Sequence, residues 1–282
     1  MWIFKRVSAL QSFLQEKTIQ NFKIGFVPTM GALHQGHISL IEESKRMTDI
    51  TVCSIFVNPT QFNDKKDLDK YPRTTEKDIT SLTKAGCDVL FLPGVDDIYP
   101  TPEKKYYELG FLENVFDGSF RPGHFQGVCQ VVDRLFEITN PNDVFFGQKD
   151  YQQCMVINSL IEMTPAFKNI KMHIVSTMRE ENGLAMSSRN TRLTTEERKT
   201  AATIYKTLSF IKENLKPGNL SNLLIEANAR LVNAGFKPDY ISIANAKTLQ
   251  AVTDWDGNTP LVALVAAFLG EVRLIDNLVL TD

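Results

Sequence analysis

Short apolar runs alternate with helical patterns through the first two-thirds of the chain, and this alternation constrains the fold most strongly. The runs are rich in β-branched and aromatic residues, as buried strands are, and cover residues 23–27, 50–57, 88–92, 144–146 and 170–175. Helical patterns lie between them at 74–85, 126–138 and 151–162. Such alternation predicts a doubly wound, Rossmann-like parallel sheet with helices on both faces.

The pattern changes near Gly183. Thr194 and Glu197 have the spacing of a capping box and predict a helix toward Leu215. A second helix is predicted at 220–234, followed by strands at 240–243, 261–268 and 272–280. We therefore expect two domains, a Rossmann-like domain at 1–183 and a smaller α+β domain at 184–282.

Composition excludes several classes of function. The formal charge is only −2 and the basic residues are scattered, so neither a nucleic-acid partner nor a membrane-surface helix is expected. The first residues do not form a secretory signal pattern, and no apolar run approaches the roughly 20 residues of a membrane span. The four cysteines lie far apart with no C-x-x-C pair, which predicts reduced core residues of a cytoplasmic protein rather than a metal site.

The run at 23–27 leads into a turn that carries two of the four histidines, His34 and His37, with Gly36 between them. A strand-to-helix turn offers backbone N–H groups and the positive end of a helix dipole to anions, most often phosphate. Gly36 permits close approach to the backbone. The spacing resembles the histidine signature of class I aminoacyl-tRNA synthetases and related nucleotidyltransferases. H-x-G-H also occurs by chance in ordinary loops, so this turn alone leaves coincidence open.

Polar side chains follow the next run. Asn58 and Gln61 offer amide groups where a small polar ligand would need orienting, although Asn-Pro also favours turns. The charged stretch 63–70 has no apolar periodicity and is predicted to be a mobile lid. Further along, His124 opens the helical pattern, where it would contact phosphate or serve in capping or packing.

Two more polar clusters follow. After the run at 144–146, Lys149 offers a compact charge for phosphate oxygens and Asp150 a carboxylate for a ribose hydroxyl or Mg²⁺. The alternative for both residues is a solvated helix start, where Asp is a good cap residue. Ser187, Ser188 and Arg189 would form a clamp for a triphosphate, but Ser-Ser-Arg is also common on surfaces.

Together these stretches resemble the pantoate–β-alanine ligase family. The resemblance rests on P-T-M-G-A-L-H-x-G-H at 28–37, F-V-N-P-x-Q-F at 56–62, Y-P-R at 71–73, R-P-G-H-F-x-G-V at 121–128, F-G-x-K-D-x-Q-Q at 146–153, G-L-A-M-S-S-R-N at 183–190 and R-L-I-D-N at 273–277. These motifs span almost the full chain. The resemblance implies a C–N bond-forming ligase with the substrates ATP, pantoate and β-alanine, and a homodimer.

The resemblance also implies a mechanism. The pantoate carboxylate would attack the α-phosphorus of ATP, and the amine of β-alanine would then displace AMP from the pantoyl-adenylate. By motif, the phosphates would be held by His34, His37, Lys149, Ser187, Ser188 and Arg189, with His37 as proton donor. The ATP site would further include Met30, Gly31, Gly147, Asp150, Met178 and Met186, and the substrate would meet Gln61, Gln153 and Asn58. Mg²⁺ would sit on ATP oxygens with no assigned protein ligand, and the second domain would close over the active site.

Some positions depart from the family pattern. Gln148 stands where glutamate is usual, Gln130 where threonine is usual, and Lys65-Lys66-Asp67 where an acidic pair is commoner; Glu181-Asn182-Gly183 replaces an acid-glycine turn. We expect these departures to affect lid kinetics and affinity rather than the reaction.

Two rival functions remain open from the sequence. A nucleotidyltransferase that adenylylates a phosphorylated cofactor precursor would share the histidine turn, but it would need neither the two glutamines nor this C-terminal domain. A catalytically silent nucleotide-binding regulator would lose its charged phosphate ligands, whereas His34, His37, Lys149 and Arg189 are all present.

Overall fold

A computed structural model describes residues 1–62, 65–101 and 105–281. Its first part is a six-stranded parallel sheet in the order β1-β4-β3-β2-β5-β6. The strands are β1 (Trp2–Phe4), β2 (Ile24–Thr29), β3 (Ile50–Ile55), β4 (Val89–Phe91), β5 (Asp143–Gly147) and β6 (Lys171–Val175). The helices are α1 (Val7–Ile19), α2 (Gln35–Met47), α3 (Lys65–Asp69), α4 (Thr75–Lys84), α5 (Val95–Ile98), α6 (Asp117–Phe120), α7 (His124–Thr139) and α8 (Tyr151–Met163).

Each central strand contributes to two apolar cores, one on each face of the sheet. In β2, Phe26 packs in the core that includes residues of α1, α7 and α8, whereas Val27 packs in the core beneath α2 and α4. Val52 and Cys53 of β3 divide in the same way. Because both faces are buried, the strands are continuously apolar, and the predicted doubly wound fold is confirmed.

The structure adds elements that the sequence pattern did not predict. β1 is a three-residue edge strand that pairs with β4, and α1 follows it at once. The single helix predicted from Thr194 toward Leu215 is two helices, α9 (Thr195–Ala201) and α10 (Thr203–Asn214), although the predicted capping box is present. The break falls at Ala202, where the sequence contains neither glycine nor proline.

The C-terminal part is an antiparallel sheet covered by helices. Its elements are α9, α10, α11 (Ser221–Asn233), β7 (Gly218–Asn219), β8 (Lys237–Asn245), β9 (Asp254–Trp255), β10 (Leu261–Leu269) and β11 (Val272–Val279), with the sheet order β11-β10-β8. Alternate residues of β10, such as Ala263 and Val265, face the core formed with α10 and α11. Val262 and Leu264 instead pack in a cluster that includes residues of α8. The second sheet therefore stands directly against the first part of the chain.

The strand order locates the crevice where a ligand is expected. From β2 the chain proceeds to β3 and β4 on one side, whereas β5 and β6 lie on the other. In open α/β sheets such a reversal leaves a crevice beyond the carboxyl ends of the two strands, here β2 and β5.

The cysteines behave as core residues: Cys53, Cys87, Cys129 and Cys154 are all buried and unpaired. Within the described residues, no helix combines the length and the apolar character needed to cross a bilayer.

Candidate active site

A cavity of about 200 Å³ lies in this crevice, at the carboxyl ends of β2, β3, β5 and β6. It brings together most of the predicted site residues: Met30, His34, His37, Gln61, Gly147, Lys149, Asp150, Gln153, Met178, Met186, Ser187, Ser188 and Arg189. A second cavity of about 470 Å³ adjoins it on the side of the C-terminal sheet and shares Lys149, Asp150, Ser187 and Arg189. The histidine turn, the lysine turn and the serine–arginine stretch thus form one site.

Two predicted residues, Asn58 and Gly31, do not line this cavity. Asn58 is buried behind Gln61, where its amide nitrogen donates to the Gly127 carbonyl at 3.0 Å and its oxygen accepts from Tyr99 at 3.0 Å. The polar atoms of Asn58 are therefore used within the protein, which favours a supporting role behind Gln61, and its contact with substrate stays a prediction. Gly31 lines a neighbouring cleft, and its φ of 81° is a turn conformation that glycine adopts readily.

The two histidines are held by the backbone of their own turn. His34 is the N-cap of α2, and its Nδ1 accepts from the Gly36 N–H at 3.1 Å. The Nδ1 of His37 accepts from the His34 N–H at 3.3 Å. With both Nδ1 atoms acting as acceptors, the hydrogen of each neutral ring is on Nε2. Each ring is therefore a hydrogen-bond donor on the wall of the cavity.

Both imidazoles are kept neutral. Burial, followed by the charge of Lys149, lowers the pKa of His34 to about 4. Burial, followed by the neighbouring His34 and Lys149, lowers the pKa of His37 well below its usual range. The rings lie 4.1 Å apart between centroids, so one imidazolium would disfavour the other. In the free chain these rings are donors of hydrogen bonds rather than carriers of a transferable proton.

The structure explains the glycine at position 36 differently from the sequence. A Cβ added to Gly36 would lie 2.9 Å from Cε1 of His34, closer than carbon atoms normally approach. The glycine therefore leaves space for the His34 ring. The Gly36 N–H, which the sequence analysis expected to bind phosphate, donates to Nδ1 of that ring instead.

Asp78 supports the same turn and was missed by sequence reasoning. This carboxylate of α4 is 1% exposed and accepts from the Ala32 N–H at 3.0 Å and the Leu33 N–H at 2.8 Å. It thereby fixes a segment in which Gly31 and Ala32 both have positive φ. In the sequence, Asp78 cannot be distinguished from any acidic residue in the first turn of a helix, where acidic residues are common.

The lysine turn follows β5 directly. Residues Gln148–Asp150 form a short 3-10 helix between β5 and α8, and the Lys149 ammonium lies 3.7 Å from the Asp150 carboxylate. This pair is longer than a direct hydrogen bond, so both charges remain free to meet a ligand. The alternative of a solvated helix start is disfavoured for Lys149, whose side chain is only 17% exposed, whereas Asp150 is 46% exposed and is the N-cap of α8.

Arg189 is held by the segment that the sequence predicted to be a lid. Its Nη2 donates to the Asp67 carboxylate at 2.8 Å, and Arg192 donates to the other oxygen at 2.9 Å. Burial disfavours the charge on Asp67, but these arginines outweigh it and lower the pKa of Asp67. Asp67 lies on α3; the first two residues of the predicted lid, 63 and 64, fall outside the described residues, and the mobility of the stretch remains a prediction.

The other members of the serine–arginine stretch have partners as well. Ser187 caps the short 3-10 helix Ser188–Arg192 by accepting from the Arg189 N–H at 3.2 Å. Ser188 donates to the Ala32 carbonyl at 3.0 Å and so connects this stretch with the histidine turn. The Met178 carbonyl accepts from the Met186 N–H at 2.9 Å, which places two methionines of the cavity wall side by side.

Two of the departures from the family pattern, Gln130 and Gln148, do not line the first cavity. Gln130 donates to the Lys105 carbonyl at 3.3 Å and lines a different cleft. Gln148 directs its amide toward Asn277 of β11, at 3.4 Å.

His124 supports Gln61 from behind instead of facing a phosphate. It is 6% exposed, its Nδ1 lies 2.8 Å from the Gln61 carbonyl, and its Nε2 lies 2.9 Å from Nη1 of Arg121. Because arginine only donates, Nε2 accepts and the hydrogen is on Nδ1. Of the open alternatives for His124, the structure favours packing. Burial, followed by the Arg121 charge, lowers its pKa to about 3.

We expect His124 to make stability depend on pH. An unfolded histidine binds a proton near pH 6.5, whereas buried His124 does not until about pH 3, so stability is full above pH 6.5 and decreases as the pH falls. One such site predicts a loss of about 2 kcal/mol in the free energy of unfolding between pH 7 and pH 5. Urea unfolding at both pH values measures it, with His124→Gln as the comparison. A variant with the same pH dependence as the wild type would contradict this assignment.

Comparisons with known proteins agree with the geometry of the site. The sequence model of the family described as pantoate-beta-alanine ligase matches residues 2–279. The pantothenate synthetase of Porphyromonas gingivalis is 42% identical over 286 residues, with all of both chains covered. That of Azobacteroides pseudotrichonymphae is 44% identical over 283 residues, covering 99% of each chain.

Solved structures show the same similarity. A pantothenate synthetase from Thermus thermophilus superposes with a TM-score of 0.92 at 38% identity and covers 100% of both chains. A pantoate-beta-alanine ligase from Francisella tularensis, solved as a complex with beta-gamma ATP and beta-alanine, superposes with a TM-score of 0.82 at 38% identity, covering 99% of this chain and 97% of that one.

Proposed function

The chain belongs to the pantoate–β-alanine ligase family, and we propose that its cavity activates pantoate as an adenylate before β-alanine attacks. The chain is a ligase that forms a C–N bond between pantoate and β-alanine, with ATP as co-substrate. One observation carries the proposed chemistry: two neutral imidazoles and the Lys149 ammonium line the same cavity at the carboxyl ends of β2 and β5.

In the first step, a carboxylate oxygen of pantoate attacks the α-phosphorus of ATP and pyrophosphate leaves. The carboxylate is already nucleophilic, so the protein has to align the reactants and neutralise the charge that develops. His34 and His37 donate Nε2–H hydrogen bonds to phosphate oxygens, and Lys149 supplies a positive charge. The free chain's electrostatics favour this role for His37 over proton donation.

Pantoate is oriented by Gln61 and Gln153, which line the cavity beside the histidines. The Gln61 amide donates to the sulfur of Met30 at 3.2 Å, and its backbone carbonyl is held by His124. In the second step, the amine of β-alanine attacks the acyl carbonyl of the adenylate, the new C–N bond forms, and AMP leaves with the electron pair of the broken C–O bond.

Mg²⁺ fits this site as a companion of ATP. Asp150 lines both cavities, its side chain is 46% exposed, and its contact with Lys149 is long. Mg²⁺ commonly takes one or two protein carboxylates and completes its shell with water and phosphate oxygens. Asp150 would therefore be the protein carboxylate that holds the ion, which would neutralise phosphate charge when bound.

Product analysis distinguishes this function from the two rivals. Incubation with ATP, Mg²⁺ and pantoate, with and without β-alanine, is expected to yield AMP and pyrophosphate at catalytic turnover only when both substrates are present. AMP retained in a larger product would indicate a nucleotidyltransferase, and tight ATP binding without turnover would indicate a silent binder.

The contact between Asp67 and Arg189 predicts competition with ATP. If Arg189 binds phosphate, it has to exchange the Asp67 carboxylate for a phosphate oxygen. Asp67→Asn removes the competing charge, so we expect the KM for ATP to fall by about threefold to tenfold at low salt. Steady-state kinetics measures this change. Glu271→Gln is the matched control, because it removes a charge from the second cavity at a side chain that contacts Lys70.

A KM for ATP that rises in Asp67→Asn would contradict this competition and would mean that Asp67 aims Arg189 instead. An equal decrease in Glu271→Gln would assign the effect to net charge rather than to Arg189.

We further propose a cytoplasmic homodimer with a second domain at 184–282 that closes over the cavity. Buried, unpaired cysteines support a reducing compartment. An apolar core made solely of residues from Leu184 onward supports the domain division. Sedimentation of the purified protein tests the oligomeric state, and a monomer at micromolar concentration would contradict it.

A further inference from the structure

Asn277 of β11 makes an unusual contact with the turn that carries Lys149. Its side chain is buried, and its amide nitrogen donates to two consecutive backbone carbonyls, those of Gln148 and Lys149, each at 2.9 Å. A primary amide has two hydrogens, one for each carbonyl, so its donor capacity is used in full. The amide oxygen of Asn277 faces Nε2 of Gln148 at 3.4 Å.

These two hydrogen bonds fix the direction in which the Lys149 side chain leaves the backbone. Gln148 and Lys149 belong to the short 3-10 helix between β5 and α8. Fixing the carbonyls on both sides of the Lys149 Cα fixes both peptide planes, and with them the Cα–Cβ direction. Without the amide, both carbonyls would lose these hydrogen bonds, and the conformation of the turn would be less firmly held.

Asn277 is itself held in place by its neighbour. Asp276 accepts from the Asn277 N–H at 2.8 Å and receives two hydrogen bonds from Arg179, at 2.6 and 3.0 Å. The Arg179 guanidinium stacks on Tyr205 at 4.0 Å and also donates to the Gly183 carbonyl at 3.1 Å. The amide therefore belongs to a rigid polar network rather than to a mobile side chain.

We propose that Asn277 is a positioning residue through which the C-terminal sheet aims the Lys149 ammonium at the reacting phosphate. This inference rests on the proposed function, since it requires that Lys149 acts on ATP. It also gives a role to the R-L-I-D-N motif at 273–277, none of whose residues takes part in the proposed chemical steps.

Kinetics of pantoate-dependent pyrophosphate release tests the proposal in Asn277→Ala, Lys149→Ala and the double variant. We expect Asn277→Ala to lower kcat by about tenfold and to change the KM for ATP by less than about twofold, because a misaimed charge chiefly weakens the transition state. In the Lys149→Ala background the same substitution is expected to change kcat by less than about twofold.

Thr281→Val is the matched control. It removes a hydrogen bond to the Leu261 N–H just beyond the end of β11, four positions after Asn277, at a residue that lines neither cavity. Its kcat should stay within about twofold of the wild type. Asn277→Ser keeps a donor but is too short to reach both carbonyls, so it provides a milder variant, and thermal unfolding of every variant reports on the fold.

Equal kcat losses from Asn277→Ala in the wild-type and Lys149→Ala backgrounds would overturn the proposal, as would a change confined to the KM for ATP. Failure of both Asn277 variants to fold at 25 °C would assign the residue to stability and overturn it as well. A Lys149→Ala variant of normal activity would instead contradict the proposed function of Lys149, so the two failures are distinguishable.

Discussion

Lys149→Ala is expected to slow adenylate formation by on the order of 10²-fold or more while leaving the fold intact. Lys149 contributes a positive charge to the wall of a cavity that would hold the triphosphate, and charge contacts count most where negative charge develops. The fold should persist because the only ion pair of Lys149 in the described structure, with Asp150, spans 3.7 Å. Single-turnover pyrophosphate release and thermal unfolding measure the two halves of this prediction.

Lys70→Ala is the control for the loss of a cation. Lys70 lines the second cavity, but its ammonium pairs with the Glu271 carboxylate at 3.0 Å, on the exposed side. Its rate of adenylate formation should remain within about threefold of the wild type. A near-normal rate in Lys149→Ala would contradict the assignment of Lys149, and equal losses in both variants would point to long-range electrostatics.

His37→Asn is expected to slow the same step by about 10²-fold, whereas His37→Gln should retain at least about ten times more activity than the asparagine variant. An asparagine oxygen can replace Nδ1 and accept from the His34 N–H, which preserves the turn but removes the Nε2–H donor. A glutamine amide reaches farther and can replace that donor. The comparison therefore separates phosphate binding from the capping of α2.

Two measurements distinguish phosphate binding from capping: the rate of pyrophosphate release and the thermal stability of each His37 variant. Equal impairment of both variants would mean that the imidazole has a task that an amide cannot perform, proton donation above all. A normal rate in His37→Asn would remove the Nε2–H of His37 from the mechanism.

The fold could be predicted where the sequence pattern within a single strand or helix is sufficient to identify that element. Buried parallel strands are continuous apolar runs, and α7 shows its inward face through Val128, Val131 and Leu135, all of them buried. β1 could not be recognised, because three apolar residues become a strand only through their pairing with β4, far along the chain. The break between α9 and α10 is similarly hidden, since alanine at 202 favours helix on its own.

The site could be predicted where chemistry follows a strand end. His34, Lys149 and Gln61 each lie just beyond a predicted strand, and parallel strands bring such positions to one edge. The supporting residues were less visible, because a partner far away in sequence decides their role. Asp78 caps a turn more than 40 positions earlier, and Asn58 turns inward to Gly127. One feature of the sequence could have indicated Asn277: Asp276 and Asn277 are two adjacent polar residues inside an otherwise mostly apolar strand.

The most direct test of the account follows oxygen from pantoate to AMP. Pantoate labelled with ¹⁸O at both carboxylate oxygens is incubated with ATP, Mg²⁺ and β-alanine, and the AMP is analysed by mass spectrometry. Attack of the carboxylate on the α-phosphorus, followed by cleavage of the acyl C–O bond, predicts one labelled oxygen in every AMP formed. Unlabelled AMP, or labelled inorganic phosphate accompanied by ADP, would contradict the adenylate route and the roles assigned to this cavity.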